Sequence, residues 1–249
     1  SMFQKPVRIA MWSCSRNLST AMMRAWGSRG DTVVLDEPLY APWLKLSGAQ
    51  HPLRDEILAH HEPDWTRVVD ALCGPQPAPV LYEKHISKHL RPELDRGWLA
   101  THRHAFLVRD PVPMLASFAR KLEEVTVEET GLPQQAELWR WLKAEHGVEA
   151  PIVDSRDVQQ NPEGTLRRLC AALDVPWDPA MLSWAPGLRP TDGIWAPHWY
   201  DGVVRSTGFA PHQPRDVVLT DALREVADAC QPAWTFLHAR RLLPGGGPR

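Results

Sequence analysis

Three short polar stretches hold the residue types that could do chemistry: Arg16-Asn17-Leu18-Ser19-Thr20, Lys84-His85-Ile86-Ser87-Lys88-His89, and Arg109 with Ser117 eight positions later. The first follows an apolar run from Val7 to Trp12 and leads into Leu18, Met22, Ala25 and Trp26, spaced i, i+4, i+7, i+8. That succession predicts a strand, a tight loop and a helix. It gathers backbone N–H groups and a helix N-terminus at one spot, with Arg16, Ser19 and Thr20 as added donors, which suits an anion and above all a phosphate. An ordinary helix N-cap would use the same hydroxyls, so a second grip matters. Arg109 ends another apolar run, and Ser117 lies about two turns into the next helix, so a guanidinium fork and a hydroxyl could hold one phosphate from two directions. In the middle stretch His85 could take a proton from a hydroxyl near neutral pH, with His89 as the alternative. Lys84 or Lys88 could neutralise a transferring anion.

The elements that must position these residues follow from the same periodicities. Asp31 to Asp36 reads as a second strand, ended by Glu37-Pro38, and Pro79 to Glu83 as a third that runs into the polar Lys84–His89 group. Ala105 to Val108 and Pro151 to Asp154 read as the fourth and fifth. Helical patterns cover Leu53 to His60, Asp64 to Cys73 with Asp64 as N-cap, Pro111 to Leu122, Leu132 to Gly147 with Leu138, Trp141 and Leu142 inward, Asn161 to Leu173, and Leu219 to Cys230, where Pro232 should interrupt. Leu39 to Gln50 is aromatic and proline-broken, and Tyr40, Trp43 and Leu44 could line a pocket or simply fill core. Pro176 to Pro214, rich in tryptophan and proline, reads as a long irregular covering. Strands alternating with helices predict an α/β three-layer sandwich with a mainly parallel central sheet. The carboxyl ends of such strands share one edge, where ligands bind.

The bulk numbers narrow the function classes. The 249 residues suit one domain over 1–243, with a disordered Pro/Gly tail over 244–249. A formal charge of -2 gives no overall field for nucleic acid or an anionic membrane. The four cysteines are far apart, with no metal-binding or disulfide spacing. Neither a signal segment nor a membrane-length apolar run is present, so a cytoplasmic protein is expected.

These residues resemble the sulfotransferases that use 3′-phosphoadenosine 5′-phosphosulfate (PAPS), most closely the bacterial small-molecule type. Their 5′-phosphosulfate loop has a basic residue followed three and four positions later by paired Ser/Thr, as Arg16, Ser19 and Thr20 are here. Their 3′-phosphate site pairs a strand-end Arg with a Ser eight positions on, matched by Arg109 and Ser117. A catalytic His after a strand is matched in position by His85. The likeness covers the first half of the chain and, more loosely, Asp157 to Pro179. It implies a P-loop NTPase-like fold and transfer of a sulfuryl group from PAPS to a hydroxyl or amine of a small-molecule acceptor, releasing PAP. It further implies nucleotide contacts from Arg16, Asn17, Leu18, Ser19 and Thr20 and from Arg109 and Ser117, with Arg16 and His85 catalytic and no metal. Two departures stand out: Glu83 replaces the Lys that usually precedes the His by two positions, and the glycine-rich adenosine loop is missing, its best substitute placing Arg205 on the nucleotide. The chief rivals are a P-loop kinase or NTPase, for which GxxxxGK[ST] is absent, and a non-catalytic PAP-binding protein.

Overall fold

In the computed structural model, which describes residues 1–245, the five strands are β1 (Val7–Ser13), β2 (Thr32–Asp36), β3 (Val80–Ile86), β4 (Arg103–Val108) and β5 (Ile152–Asp154). They make one all-parallel sheet in the order β2-β3-β1-β4-β5. Parallel neighbours need long crossovers, and helices supply them. They are α1 (Ser19–Gly27), α2 (Tyr40–Ser47), α3 (Arg54–His60), α4 (Trp65–Cys73), α5 (Pro111–Phe118), α6 (Val127–Thr130), α7 (Leu132–His146), α8 (Ser155–Gln160), α9 (Pro162–Ala172), α10 (Ala196–Trp199), α11 (Asp201–Val204) and α12 (Asp221–Ala239).

The period-2 alternation of β1 divides the core between the two faces of the sheet. Ile9 and Met11 pack with Tyr82 and with residues of α1, α2 and α9, while Ala10 and Trp12 pack with Phe106, Val108 and residues of α4, α7 and α12. Both faces are therefore covered, giving three layers. On the first face Trp26 stacks on Tyr82 at 5.1 Å between ring centroids, a geometry worth about 0.5–1.5 kcal/mol beyond the area it buries.

Local chemistry sets the element boundaries. Asp64 accepts from Arg67 N at 3.0 Å and Asn161 from Gly164 N at 3.0 Å, so α4 and α9 start on side-chain caps. The Leu39–Gln50 segment is less broken than its proline suggests: Pro42 is the third residue of α2, where its missing N–H would have had no intrahelical partner. Pro232 likewise does not end α12, since it sits on the exposed side and the carbonyl it leaves unpaired faces water. In α7 the inward tryptophan is Trp139, with Trp141 half-buried. The helix after β4 stops at Phe118, short of Leu122. Helix α8, too short to show a period, was absent from the sequence reading. The stretch between α9 and α12 holds only short turns of helix, as its prolines dictate. Residues 246–249 of the expected tail lie outside the described residues. Among the described residues no helix is long and apolar enough to cross a membrane.

Candidate functional site

At the carboxyl edge of the sheet the chain between β1 and α1 is fixed from several sides. Asn17 Nδ2 donates to Leu107 O at the end of β4 (2.8 Å), and its Oδ1 accepts from Ser19 N (3.1 Å). Ser15 N donates to Thr130 O (2.9 Å). Arg16 takes a left-handed backbone conformation, φ 54°, which costs a non-glycine residue roughly 1–3 kcal/mol and persists only where surroundings over-determine it. The Arg109 guanidinium, donating from Nη1 to Arg16 O, is part of that determination. The N-cap residue Leu18 gives α1 no side-chain hydrogen bond; only Asn17 meets Ser19 N, and the helix's N-terminal dipole points into the loop.

The two basic grips read from the sequence meet. Arg16 Nε donates to Ser117 Oγ at 3.2 Å, and Arg16 Nη1 to Trp199 O at 2.8 Å. Burial lowers the pKa of both Arg16 and Arg109, and for each the nearby Arg120 adds like-charge repulsion. An anion bound between them would relieve both effects.

Two cavities flank this junction. The smaller, about 70 Å³, is lined by Ser15, Arg16, Asn17, Ser19 and Thr20 on one side and by Glu37, Tyr40, Lys84, Lys88 and His89 on the other, with Trp199 and Tyr200 closing it. The larger, about 1140 Å³, has Arg109 and Ser117 in its wall together with Arg120, Arg156, Arg215 and His212. Of the residues singled out in the sequence, Leu18 contributes only backbone to the loop, since its side chain packs against the core. Arg205 is exposed and lines neither cavity.

His85 is the main displacement from the sequence reading. Strand β3 continues through Lys84 and His85 to Ile86, so successive side chains point to opposite faces. Lys84 and Ile86 face the small cavity. His85 is on the other face, stacked on Trp12 at 4.4 Å, with Nε2 2.8 Å from Glu83 Oε1. Glu83 also holds His102, and these partners depress its pKa against the effect of burial. On the cavity face, Lys84 is followed two positions on by Ile86 and not by a histidine.

Two carboxylates missed in the sequence occupy the gap. Asp36 and Glu37, where β2 ends, share the Lys84 ammonium: Nζ donates to Glu37 Oε2 (2.8 Å), Thr20 Oγ1 (2.9 Å) and Tyr200 OH (2.7 Å), with Asp36 Oδ1 at 3.6 Å. Glu37 also has a left-handed backbone, φ 45°. Its sequence signal is the same as at the other loops, a polar residue at a strand's carboxyl end, masked here by the strand-ending Pro38. Burial, and Glu37 beside it, raise the Asp36 pKa to about 6 against the pull of Lys84.

A second cluster forms the far wall of the small cavity. Tyr40 OH lies 2.6 Å from His51 Nδ1, His51 Nε2 lies 3.1 Å from Glu129, and Lys88 Nζ donates to Glu129 Oε2 at 2.6 Å. With His51 and Lys88 against it, Glu129 is held at a pKa of about 2 despite partial burial. His89 stacks on Tyr40 at 4.9 Å and is held well below its ordinary pKa by burial and by nearby cations.

A family model described as "Sulfotransferase domain" matches residues 7–241. Two curated proteins of Arabidopsis thaliana are similar: "Branched-chain-amino-acid aminotransferase-like protein 2" is 36% identical over 92% of this chain, and "Branched-chain-amino-acid aminotransferase-like protein 1" is 39% identical over 83%. The matches cover 41% and 37% of those proteins, so the chain spans about two fifths of their length. Among solved structures, a sulfotransferase from Alicyclobacillus acidocaldarius superposes with a TM-score of 0.56 at 11% identity over 97% of this chain and 98% of that one, a likeness of fold. The family match takes in every strand and both arginine grips, and by it the chain belongs to the sulfotransferase domain family.

Proposed function

We propose that the protein transfers a sulfuryl group from PAPS to a hydroxyl or amine of a small-molecule acceptor and releases PAP. The observation that carries this reading is the Arg16 Nε to Ser117 Oγ hydrogen bond, 3.2 Å, which joins the loop after β1 to the helix after β4. Two basic grips at one junction suit a nucleotide with phosphates at both ends of its ribose, and the large cavity beside Arg109 has room for the rest.

PAPS supplies the sulfuryl group; the chain's residues supply position and charge. Arg16, the loop N–H groups and the start of α1 stabilise the charge that gathers on the leaving phosphate. Ser19 and Thr20 hold oxygens that do not react, and Lys84, bonded to Thr20, faces the group in flight. Arg109 and Ser117 hold the 3′-phosphate. The acceptor's proton goes to Glu37, whose Oε2 is engaged by Lys84 and Tyr200 while the carboxylate lines the small cavity. This role replaces the one expected of His85, which faces the other side of the sheet. Tyr40, Phe118 and Trp199 give the acceptor aromatic walls, with Lys88 and His51 as polar contacts. The aminotransferase in the plant relatives' names belongs, on this reading, to the three fifths of those proteins that the chain does not cover.

A thermal-shift comparison of PAP with AMP, ADP and ATP tests the donor class, since a ligand that binds only the folded state raises the melting temperature by mass action. Selective stabilisation by PAP is expected. Equal or greater stabilisation by ATP points to a kinase or NTPase, and PAP binding without turnover of PAPS across a panel of alcohols, phenols and amines to a silent binding protein.

A further inference from the structure

Behind Glu37 lies a carboxylate that touches neither cavity. The Asp36 side chain is 1% exposed, and an acid so placed is kept at a cost unless its neighbours use it. Besides Lys84 Nζ at 3.6 Å, its contacts are Gly193 N, donating to Oδ2 at 2.9 Å, and the Tyr200 hydroxyl, 2.7 Å from Oδ1. The same hydroxyl lies 2.9 Å from Glu37 Oε2.

Counting protons exposes a competition. The Tyr200 oxygen already accepts from Lys84 Nζ (2.7 Å) and from Trp195 Nε1 (3.0 Å). It has one proton of its own to donate, and two carboxylates within reach. Whichever acid receives it is stabilised as the anion, and the other is left more basic. We propose that Asp36 and Tyr200 are positioning residues for the transfer: by charge and by the direction of one O–H, they set how readily Glu37 takes a proton. The inference rests on Glu37 being the base, and deepens that reading.

The two residues act in opposite directions. Asp36, while ionised, resists ionisation of Glu37 beside it; Tyr200, where its O–H turns to Glu37, favours the anion. The other groups facing the pair are Lys84 from β3, Lys88 just beyond it, Tyr40 from α2, Thr20 from α1 through Lys84, and the Gly193 amide. Next to Gly193 is the Arg24–Asp192 ion pair (2.6 Å), whose carboxylate also accepts from Arg189 N, and His61 accepts from Ile194 N at 3.2 Å, its pKa lowered by burial.

The test titrates the side-chain carboxyl of Glu37 by carbon-13 NMR in the full chain with PAP bound, the resonance assigned with Glu37→Gln. Asp36→Asn is expected to lower the Glu37 midpoint by about one pH unit, and Tyr200→Phe to raise it by about the same. Movement of both midpoints in one direction, or of neither, overturns the proposal. Should Asp36→Asn fail to fold, Tyr200→Phe decides alone: an unmoved or lowered midpoint overturns it. Turnover of PAPS to PAP by Glu37→Gln is measured separately. Opposite midpoint shifts with full turnover would remove Glu37 as base while leaving the tuning intact, and lost turnover with fixed midpoints would do the reverse.

Discussion

Replacing Arg109 by alanine separates the two phosphate grips. The Arg109 side chain has two tasks in the geometry: it lines the large cavity, and from Nη1 it holds the carbonyl of Arg16. On the proposed function the first is a charge-assisted contact to the 3′-phosphate, worth about 1.5–3 kcal/mol. At about 1.4 kcal/mol per decade that is a loss of roughly 10- to 150-fold in PAP affinity. The second acts on every ligand of the loop, because without its anchor the strained backbone at Arg16, φ 54°, is free to relax. Calorimetric titration with PAP and with AMP divides the two, since AMP lacks the 3′-phosphate and feels only the loosened loop. Arg109→Ala should therefore weaken PAP far more than AMP, and Arg109→Lys, which keeps the charge but loses the fork, should fall between. Equal losses for the two nucleotides, or an unchanged PAP affinity, would remove Arg109 from the 3′-phosphate and with it the argument for a bisphosphorylated donor. Arg16→Ala should weaken both nucleotides, and the double variant should fall short of the summed losses because Arg109 anchors the backbone from which the Arg16 side chain acts.

Further expectations follow from the buried charges. Lys84→Met leaves Asp36 and Glu37 buried without their cation, so it should destabilise the fold by about 3–5 kcal/mol in urea unfolding; a loss within error of zero would show that the carboxylates do not need it. Glu129 has a folded-state pKa of about 2, below its ordinary 4.5, so its contribution to stability is present above pH 4.5 and disappears as pH falls through 2. The melting-temperature gap between Glu129→Gln and the parent should therefore be widest near neutrality and close over that window, and a gap independent of pH would count against the His51–Glu129–Lys88 cluster as drawn. His85→Ala should lower stability, because Trp12 loses its stacking partner and Glu83 one donor, while turnover of the folded fraction stays near that of the parent. A well-folded variant with turnover down by ~100-fold would return the base to His85.

Much of this arrangement was legible in the residues because it is local. Arg16 to Thr20 and Arg109 to Ser117 each lie within one strand-loop-helix unit, and the parallel topology then guarantees that units distant in sequence open onto one edge. What was hidden is parity. The residues Lys84 and His85 differ by one position, so a strand that ends at Glu83 leaves either free to turn toward a ligand, whereas one running to Ile86 commits them to opposite faces. Glu37 was hidden differently: an acid before a proline reads as the end of β2, and only its contact with Lys84 on the neighbouring strand reveals it as part of the site. Arg205 was chosen to fill a missing loop motif rather than from a local pattern, and it sits in solvent.

The strand order carries a last consequence. With β1 in the middle, residues assigned to the nucleotide come from the loops after β1 and β4, and those assigned to the acceptor largely from the loops after β2 and β3. The two ligands are thus served mainly by opposite wings of the sheet, with Phe118 and Trp199 reaching across to the acceptor's side. Grafting the β2 and β3 loops of one relative onto another is accordingly expected to redirect which compound is modified while leaving donor affinity unaltered, so that new acceptor ranges can arise on one wing without retuning the other.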